Sequence, residues 1–518
     1  MGYLLGIDVA TTGAKVLAID ENGRVASSSF RPYPLQTPRP NWAEQDPEEW
    51  WNAVTGCLRE VVGKKVRAEE IEAIGLTGQM HGAVVLGRND EVLRPCILWC
   101  DQRTASQCDE IMRKFGRKRF IDLTNNVALP GFTAPKILWI RENEPGIYSK
   151  IKKVLLPKDY VRFRLTGEFA TEVSDASGTV LFDVKRRRWS DEVLEELQIP
   201  REMMPDCFES PFLSGEVSGE AASATGLRKG TPVAGGGGDQ AAGAVGNGIV
   251  RSGLVSCTIG TSGVVFASCD EPLVDPEARL HSFCHAVPGK WHVMGVMLSA
   301  GGSFRWFRDA LGGEEVGLGK ERGVDPYVIL ADELAPQAEP GCEGLIFLPY
   351  LMGERTPYPN PNAKGVFFGI TLRHKKAHLA RSVMEGVAYG MRDSLELVKN
   401  LGIEIEQVRA SGGGGRSPLW RQIQADIYNA EIVTVSVDEG PAFGAALIAG
   451  AGAGIFRSVE DACGKAVALA TRTKPVQENA KLYEKYYEVY KELYSSLVEE
   501  FDKVSRIVLE ELESKKVP

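Results

Sequence analysis

The residues best suited to chemistry lie in two hairpin tips and one glycine run. Near the start, "YLLGIDVATTGAKVLAID" carries an apolar run into Asp8, turns through Thr11, Thr12 and Gly13, and leaves past Lys15. Strand, tight turn and strand make a β-hairpin. Far downstream, "GLVSCTIGTSGVVFAS" repeats the plan: Leu254 to Ile259 enter Gly260, Thr261, Ser262 and Gly263, and Val264 to Ala267 return. Hydroxyls and backbone N–H groups at such tips suit phosphate oxygens. An acid beside a phosphate makes sense once a divalent cation stands between them, and magnesium keeps its waters and takes few carboxylates. The repeat, roughly half a chain apart, points to two related domains facing a cleft.

The third feature is "TPVAGGGGDQAAGAVGNGIV", where Gly235 to Gly238 lead into Asp239 and a small-residue helix. Glycines allow close approach to a substrate, so Asp239 is a candidate general base; its other reading is a helix cap. "HSFCH" holds His281, Cys284 and His285, but no second pair at zinc-site spacing completes it, which favours a structural role. His374 and His378 sit among lysines and read as a solvated helix face.

These groups need elements to position them. "NWAEQDPEEWW" starts a helix, with Asp46 as cap, Pro47 in the first turn, and Glu48 and Glu49 at its positive end. "IEAIGLTGQMHGAVVLG" is a buried strand running into a loop that holds Met80 and His81. "ASGGGGRSPLWRQIQADIYN" is a glycine turn feeding a helix at Ser417 and Pro418, and "EGPAFGAALIAGAGAG" is a helix small enough to pack closely on a neighbour. Alternating strands and helices give an α/β architecture. After Pro475, Leu482, Tyr486, Tyr490, Leu493, Leu497, Phe501, Val504 and Val508 recur at helical spacing. That helix either docks on its own domain or forms the seam of a homodimer. A chain of 518 residues exceeds one core, and the expected divisions are 1–246, 247–475 and 476–518.

The bulk properties exclude several classes. A net charge of -9 without a basic block speaks against nucleic acid. No apolar run reaches membrane-spanning length, the nearest, Ala442 to Gly454, being broken by glycines. The first residues enter a strand without the basic start and apolar core of a signal peptide. The 10 cysteines show no C-x-x-C pairing, so reduced thiols and a cytoplasmic location are expected.

Taken in order, "GIDVATTGAK", "GFTAPKILWIREN", "GGGGDQAAGA", "TIGTSG", "GVFFGITLRHKKAHLARSVMEG" and "SGGGGRSPLW" resemble the FGGY family of carbohydrate kinases. The resemblance spans roughly Tyr3 to Gly454. It implies two actin-like ATPase (ribonuclease H-like) domains flanking a catalytic cleft, with ATP and Mg2+ as co-substrate and cofactor. "GQMHGA", "ILWCDQR", "LPKDYVRFRLTGE", "SDASGT", "HSFCHA" and "FLPYLMGERTP" resemble the branch that phosphorylates D-xylulose. By this resemblance Asp239 is the proton acceptor and Asp8 serves magnesium through water. Met80, His81, Gln240, Trp99, Asp101 and Arg103 form the sugar site beside Asp239. Thr11, Thr12, Gly13 and Lys15 meet the phosphates from one side, and Gly260 and Thr261 from the other. Gly301, Arg305, Gly413, Gly414 and Ser417 hold the nucleoside, with Gly413 letting the backbone approach the base. Two positions depart from the pattern: Ala10 stands where the family commonly has glycine, and Gln240 where this branch commonly has asparagine. Rival readings are a kinase for ribulose or another ketose or polyol, and a non-catalytic nucleotide switch or filament protein of the same fold.

Overall fold

The computed structural model describes residues 2–514 except Lys64 and Asp438. Two seven-stranded sheets organise the chain. The first comprises β1 (Tyr3–Val9), β2 (Gly13–Ile19), β3 (Val25–Pro32), β4 (Ile71–Gly78), β5 (Leu213–Glu216), β6 (Pro232–Ala234) and the short β7 (Gly237–Gly238). Their order is β5-β6-β4-β1-β2-β3, with β7 also on β4. The second comprises β8 (Leu254–Ile259), β9 (Gly263–Cys269), β10 (His281–Cys284), β11 (Trp291–Met297), β12 (Gln407–Gly412), β13 (Ile432–Val435) and β14 (Leu469–Thr473), in the order β10-β11-β9-β8-β12-β13-β14.

The sheets follow one plan. β1 pairs antiparallel with β2 and parallel with β4, as β8 pairs antiparallel with β9 and parallel with β12. An antiparallel strand closes the parallel edge of each, β5 on β6 and β14 on β13. The repeated hairpins are thus the equivalent strand pairs of two sheets. Near-continuous burial along β1 and β4 is what a sheet covered on both faces requires.

Helices cover the faces. α1 (Pro47–Val61) starts as expected: the Asp46 carboxylate accepts the Glu48 N–H at 3.0 Å. It lays Trp50, Val54, Cys57 and Leu58 on the first sheet. α2 (Asp239–Gly246) follows the glycine run, and α3 (Gly301–Leu311) follows β11. α4 (Lys376–Asn400) and α5 (Pro418–Tyr428) cover the second sheet.

α6 (Pro441–Gly452) lies in the second half of the chain but packs on β1, β4 and α2 of the first. The contact needs glycine: a Cβ on Gly6 would strike the Ala442 carbonyl, one on Gly75 that of Ala445, and one on Gly444 that of Ala242. The two sheets are therefore tied by backbone-to-backbone packing, not by a linker alone.

α7 (Gln477–Ser514) docks on its own half. Its buried seam runs through Tyr483, Tyr487 and Tyr490, then Leu493 and Phe501, while Leu482, Val504 and Val508 are exposed. The expected stripe is therefore rotated by one residue over the first turns. Tyrosine permits this because each hydroxyl finds a buried partner: Tyr483 on Glu385 at 2.6 Å, Tyr487 on Asp393 at 2.7 Å, Tyr490 against Tyr350 at 3.1 Å. His374 and His378 are not a solvated face: the His374 ring bonds Thr371 and the Cys342 carbonyl, and His378 Nδ1 accepts the Lys375 N–H at 3.1 Å. Among the described residues no helix is long and apolar enough to cross a membrane.

Candidate active site

Strand register brings the first group together. Val9 of β1 pairs with Gly78 of β4, and Gly78 with Gly238 of β7. Three parallel strands therefore end in line, and Asp8, the Gln79–His81 loop and Asp239 emerge at one sheet edge, where α/β sheets bind ligands.

Asp239 is the first residue of α2, and Gly238 holds the cap position without any side-chain cap bond. The helix-cap reading of Asp239 therefore fails, leaving its carboxylate to the cleft. Burial pushes its pKa up to about 6, against the pull of the Gln240 backbone and side-chain N–H groups. Gln240 thus supports the ionised base directly. Asp8 is buried, and its Oδ1 has no hydrogen-bond partner among the described residues. Burial first, and then the charge of Asp239, push Asp8 up to about 7, with Lys15 opposing. Two carboxylates raised together, one with an orphaned buried oxygen, fit a divalent cation. No group of three or more His, Cys, Asp and Glu encloses a metal among the described residues, so the donor set suits an ion that keeps its waters.

His81 has φ of 70°, a left-handed conformation that is uncommon outside glycine and marks positions the surrounding fold must enforce. Three contacts enforce it. Lys136 Nζ donates to the His81 carbonyl at 2.7 Å, Thr133 Oγ1 donates to it at 3.1 Å, and His81 Nδ1 donates to the Gly178 carbonyl at 2.8 Å. A Cβ on Gly178 would stand 2.5 Å from the ring, which is why "SDASGT" carries glycine there. Burial, then the Lys136 charge, hold the imidazole neutral, well below its ordinary pKa. With Nδ1 committed as donor, Nε2 is left as an acceptor for a hydroxyl. Met80 is buried, and its thioether lies 3.1 Å from where a Cβ on Gly238 would stand, directly beside Asp239.

The first tip is held by side chains. The Trp99 indole donates to Thr11 Oγ1 at 2.9 Å, Thr11 Oγ1 donates to Gln79 at 3.2 Å, and Gln45 Nε2 donates to the Thr11 carbonyl at 2.8 Å. Ala10 is not among the left-handed residues. Its N–H reaches the Gly13 carbonyl at 3.2 Å and its carbonyl accepts the Tyr33 hydroxyl. Alanine is unstrained there.

Three expected ligands are otherwise engaged. Lys15 Nζ pairs with Glu439 at 2.5 Å, so it ties the first tip to the second half of the chain. Asp101 and Arg103 are buried and bound to each other at 2.7 Å; Arg103 also pairs with Glu44 at 2.7 Å and lies 3.5 Å over the Trp42 ring. Their neighbour Trp99 faces the cleft.

The second edge repeats the logic with backbone. Ile259 of β8 pairs with Gly412 of β12, so the Gly260–Ser262 tip and the Gly413–Ser417 turn emerge together. The N–H groups of Ala300, Gly301 and Gly302 donate to the carbonyls of Thr261, Gly260 and Thr261 at 3.0, 2.8 and 2.9 Å. A Cβ on Gly301 would collide with the Gly260 carbonyl. A cavity of about 320 Å³ opens here, lined by Gly260, Thr261, Gly301, Arg305, Gly413, Gly414 and Ser417, a volume suited to a small ligand. The demand for glycine is sharper on either side of Gly413: Gly412 has φ of 70°, and a Cβ on Gly414 would lie 2.7 Å from the Ile259 side chain. Ser417 caps α5 and donates to Asp332 at 2.7 Å.

Some lining residues were not singled out in the sequence. Tyr327 and Asp332 wall the cavity from a segment without glycine punctuation. His281, expected to be structural, stands with its ring centroid 5.6 Å from Phe132, which itself lies 4.7 Å from the His81 ring. Arg355 belongs to "GERTP", a stretch whose charges carry no spacing signal. Cys284 and His285 are structural: the Cys284 N–H meets Ser177 Oγ at 3.1 Å, and His285 bonds the Ile249 carbonyl at 2.9 Å.

Residues 3–246 match the N-terminal domain of the FGGY family of carbohydrate kinases, and residues 255–453 match its C-terminal domain. The chain is 44% identical over 446 residues to a xylulose kinase of Escherichia coli (strain K12), covering 86% of this chain and 89% of that one. It is 37% identical over 485 residues to a xylulose kinase of Bacillus subtilis (strain 168), covering 93% and 95%. A crystal structure of a "xyloylose kinase" from Brucella ovis superposes with a TM-score of 0.87 at 37% identity, covering 96% of this chain and 99% of that one.

Proposed function

The chain belongs to the FGGY family of carbohydrate kinases, and from that premise we propose that it moves the terminal phosphoryl group of ATP to the C5 hydroxyl of D-xylulose, with Asp239 as general base. That it is a sugar kinase using ATP follows from the family itself. The choice of D-xylulose is supported by the names of its relatives and by the sugar loop at Met80 and His81.

One observation carries the mechanism. The register Val9–Gly78–Gly238 places Asp8, the sugar loop and Asp239 at a single edge. Phosphoryl transfer needs positioning, charge stabilisation and a partner for the attacking hydroxyl. Met80 supplies an apolar wall beside the reacting end, and neutral His81 accepts a sugar hydroxyl through Nε2. Asp239 takes the C5 hydroxyl proton as the new oxygen–phosphorus bond forms and the bond to the ADP oxygen breaks. Thr11, Thr12 and Gly13 meet the terminal phosphates from the first tip; Gly260 and Thr261 meet them from the second. Arg305, Gly413, Gly414 and Ser417 line the nucleoside end. Asp8 would hold magnesium through water, and the ion, when bound, neutralises phosphate charge.

ADP release measured with D-xylulose, D-ribulose, xylitol and glycerol tests this reading. D-xylulose should give the highest kcat/KM, by about tenfold or more. A higher value for another sugar would replace the substrate; no sugar-dependent ADP from any ketose or polyol would remove the mechanism.

A further inference from the structure

Arg355 stands apart from every other half-buried arginine near the cleft. Among the described residues its guanidinium makes no hydrogen bond and no ion pair, although its backbone is firmly held. Glu354 Oε1 accepts the N–H groups of Leu298 at 2.9 Å and of Arg355 at 2.7 Å. Thr356 on the other side accepts the Val296 N–H at 3.1 Å and donates to the Arg279 carbonyl at 3.0 Å. Arg355 is thereby fixed between the end of β11 and the start of β10, the strand that opens with His281. Its one acidic neighbour, Glu354, turns its carboxylate to the backbone N–H groups of Leu298 and Arg355 and makes no ion pair with the guanidinium among the described residues. A desolvated cation without a partner is costly unless a ligand completes it.

The Thr356 bond to the Arg279 carbonyl brings Arg355 beside the start of β10 and so toward His281. Burial and then the Arg355 charge lower the pKa of His281; at His81 the Arg355 charge comes only after burial, Lys136 and His281. His281 meets Phe132 at 5.6 Å, and Phe132 meets His81 at 4.7 Å. From the reacting end the order is therefore Asp239, Met80 beneath Gly238, His81, and then His281 with Arg355. A pentulose whose C5 hydroxyl lies at Asp239 carries its C1 hydroxyl and C2 carbonyl at the far end of that row.

We propose that Arg355, reaching over from the second half of the chain, binds the C1–C2 end of the ketose, its planar fork donating to the C1 hydroxyl and the C2 carbonyl oxygen, with His281 beside it. The substrate then spans both halves: Asp239, Met80 and His81 come from one, Arg355 and His281 from the other. Two oxygens on adjacent carbons suit a guanidinium and suit an ammonium less well. This inference rests on the reading of the sugar loop as the substrate site, not on which ketose is preferred.

The test is calorimetric titration of D-xylulose into the full chain without nucleotide, together with steady-state kinetics, for the parent, Arg355→Lys and Arg355→Ala. Arg355→Ala should weaken sugar binding and raise sugar KM by about tenfold or more while ATP KM changes less than about twofold. Arg355→Lys should recover only part of the loss, because charge without the fork is insufficient. Xylitol, which keeps the C1 hydroxyl but carries a hydroxyl in place of the C2 carbonyl, should lose affinity in Arg355→Ala by a smaller factor than the ketose does. If the parent prefers another ketose, the titrations use that ketose, so the identity of the sugar and the role of Arg355 fail separately. Unchanged sugar affinity in a folded Arg355→Ala, or full recovery in Arg355→Lys for the ketose, would overturn the proposal. Should Arg355→Ala fold poorly, the Arg355→Lys titration alone decides.

Discussion

The two hairpins stand at equivalent places in equivalent sheets, yet they are fastened by different means. The first tip is held by side chains from distant segments, Gln45, Gln79 and Trp99 on Thr11 and Tyr33 on Ala10, and it carries a buried acid at Asp8. The second is held by the first N–H groups of α3 and carries no charge. A duplicated scaffold supplies two equivalent turns; in the proposed function what flanks each turn gives one to the reacting end and the other to the nucleotide. The contrast predicts that charge removal at the first edge damages chemistry, while changes at the second damage nucleotide binding.

Asp239→Asn tests the contrast most severely. Turnover should fall by about a hundredfold or more, with both KM values within a few-fold of the parent. Retained turnover in a folded variant would break the distinction between the edges. The parent's own acid limb gives an independent reading: a base raised to about 6 must lose its proton before it can act, so kcat should climb as pH rises through about 6.

Asp8→Asn should raise the magnesium concentration needed for half-maximal activity by about tenfold. It also has a signature without substrate. Because the folded pKa of Asp8 is raised from 3.8 to about 7, its contribution to folding is fully present below the unfolded value, falls as pH rises between the two, and is lost above about 7. Replacing it should therefore raise the melting temperature of the ligand-free protein by a few degrees at pH 8 and by clearly less at pH 5. A gain at pH 5 equal to that at pH 8 would detach the burial of Asp8 from its charge.

His81→Ala and Thr261→Ala sharpen the contrast further. Loss of one buried hydrogen bond costs about 1 to 3 kcal/mol, so the first variant should reduce kcat/KM for sugar by about ten- to a hundredfold. The second should act on ATP KM instead. Exchanged effects, sugar KM moving in Thr261→Ala and ATP KM in His81→Ala, would reverse the assignment of the edges. The smallest effect belongs to Ala10→Gly. Alanine there is unstrained, and ATP KM should shift by no more than about threefold, with sugar KM untouched; a larger gain would show that the methyl crowds the phosphates.

Much of this was legible in the residues themselves. Apolar runs broken by Thr-Gly and Thr-Ser-Gly tips fix hairpins locally, because turn geometry is a property of a few consecutive residues. The glycine run before Asp239 and the capped start at Asp46 are read the same way. Which groups meet is a different matter, since it depends on register and on which sheet a helix chooses. Sequence order places Pro441–Gly452 with the second sheet, yet backbone contacts at Gly6, Gly75 and Gly444 hold it on the first. The apolar stripe of α7 was displaced by one residue because tyrosines with buried hydroxyl partners behave as core residues. Lys15 and Arg103 carry charges that look available in the sequence; only the tertiary structure supplies Glu439 and Glu44 to engage them. Conversely, Arg355 looks like any surface arginine until the fold leaves it half-buried and without an ion-pair partner among the described residues. Sequence determines local geometry because its causes are local; the fold decides how charges pair because their partners come from distant parts of the chain.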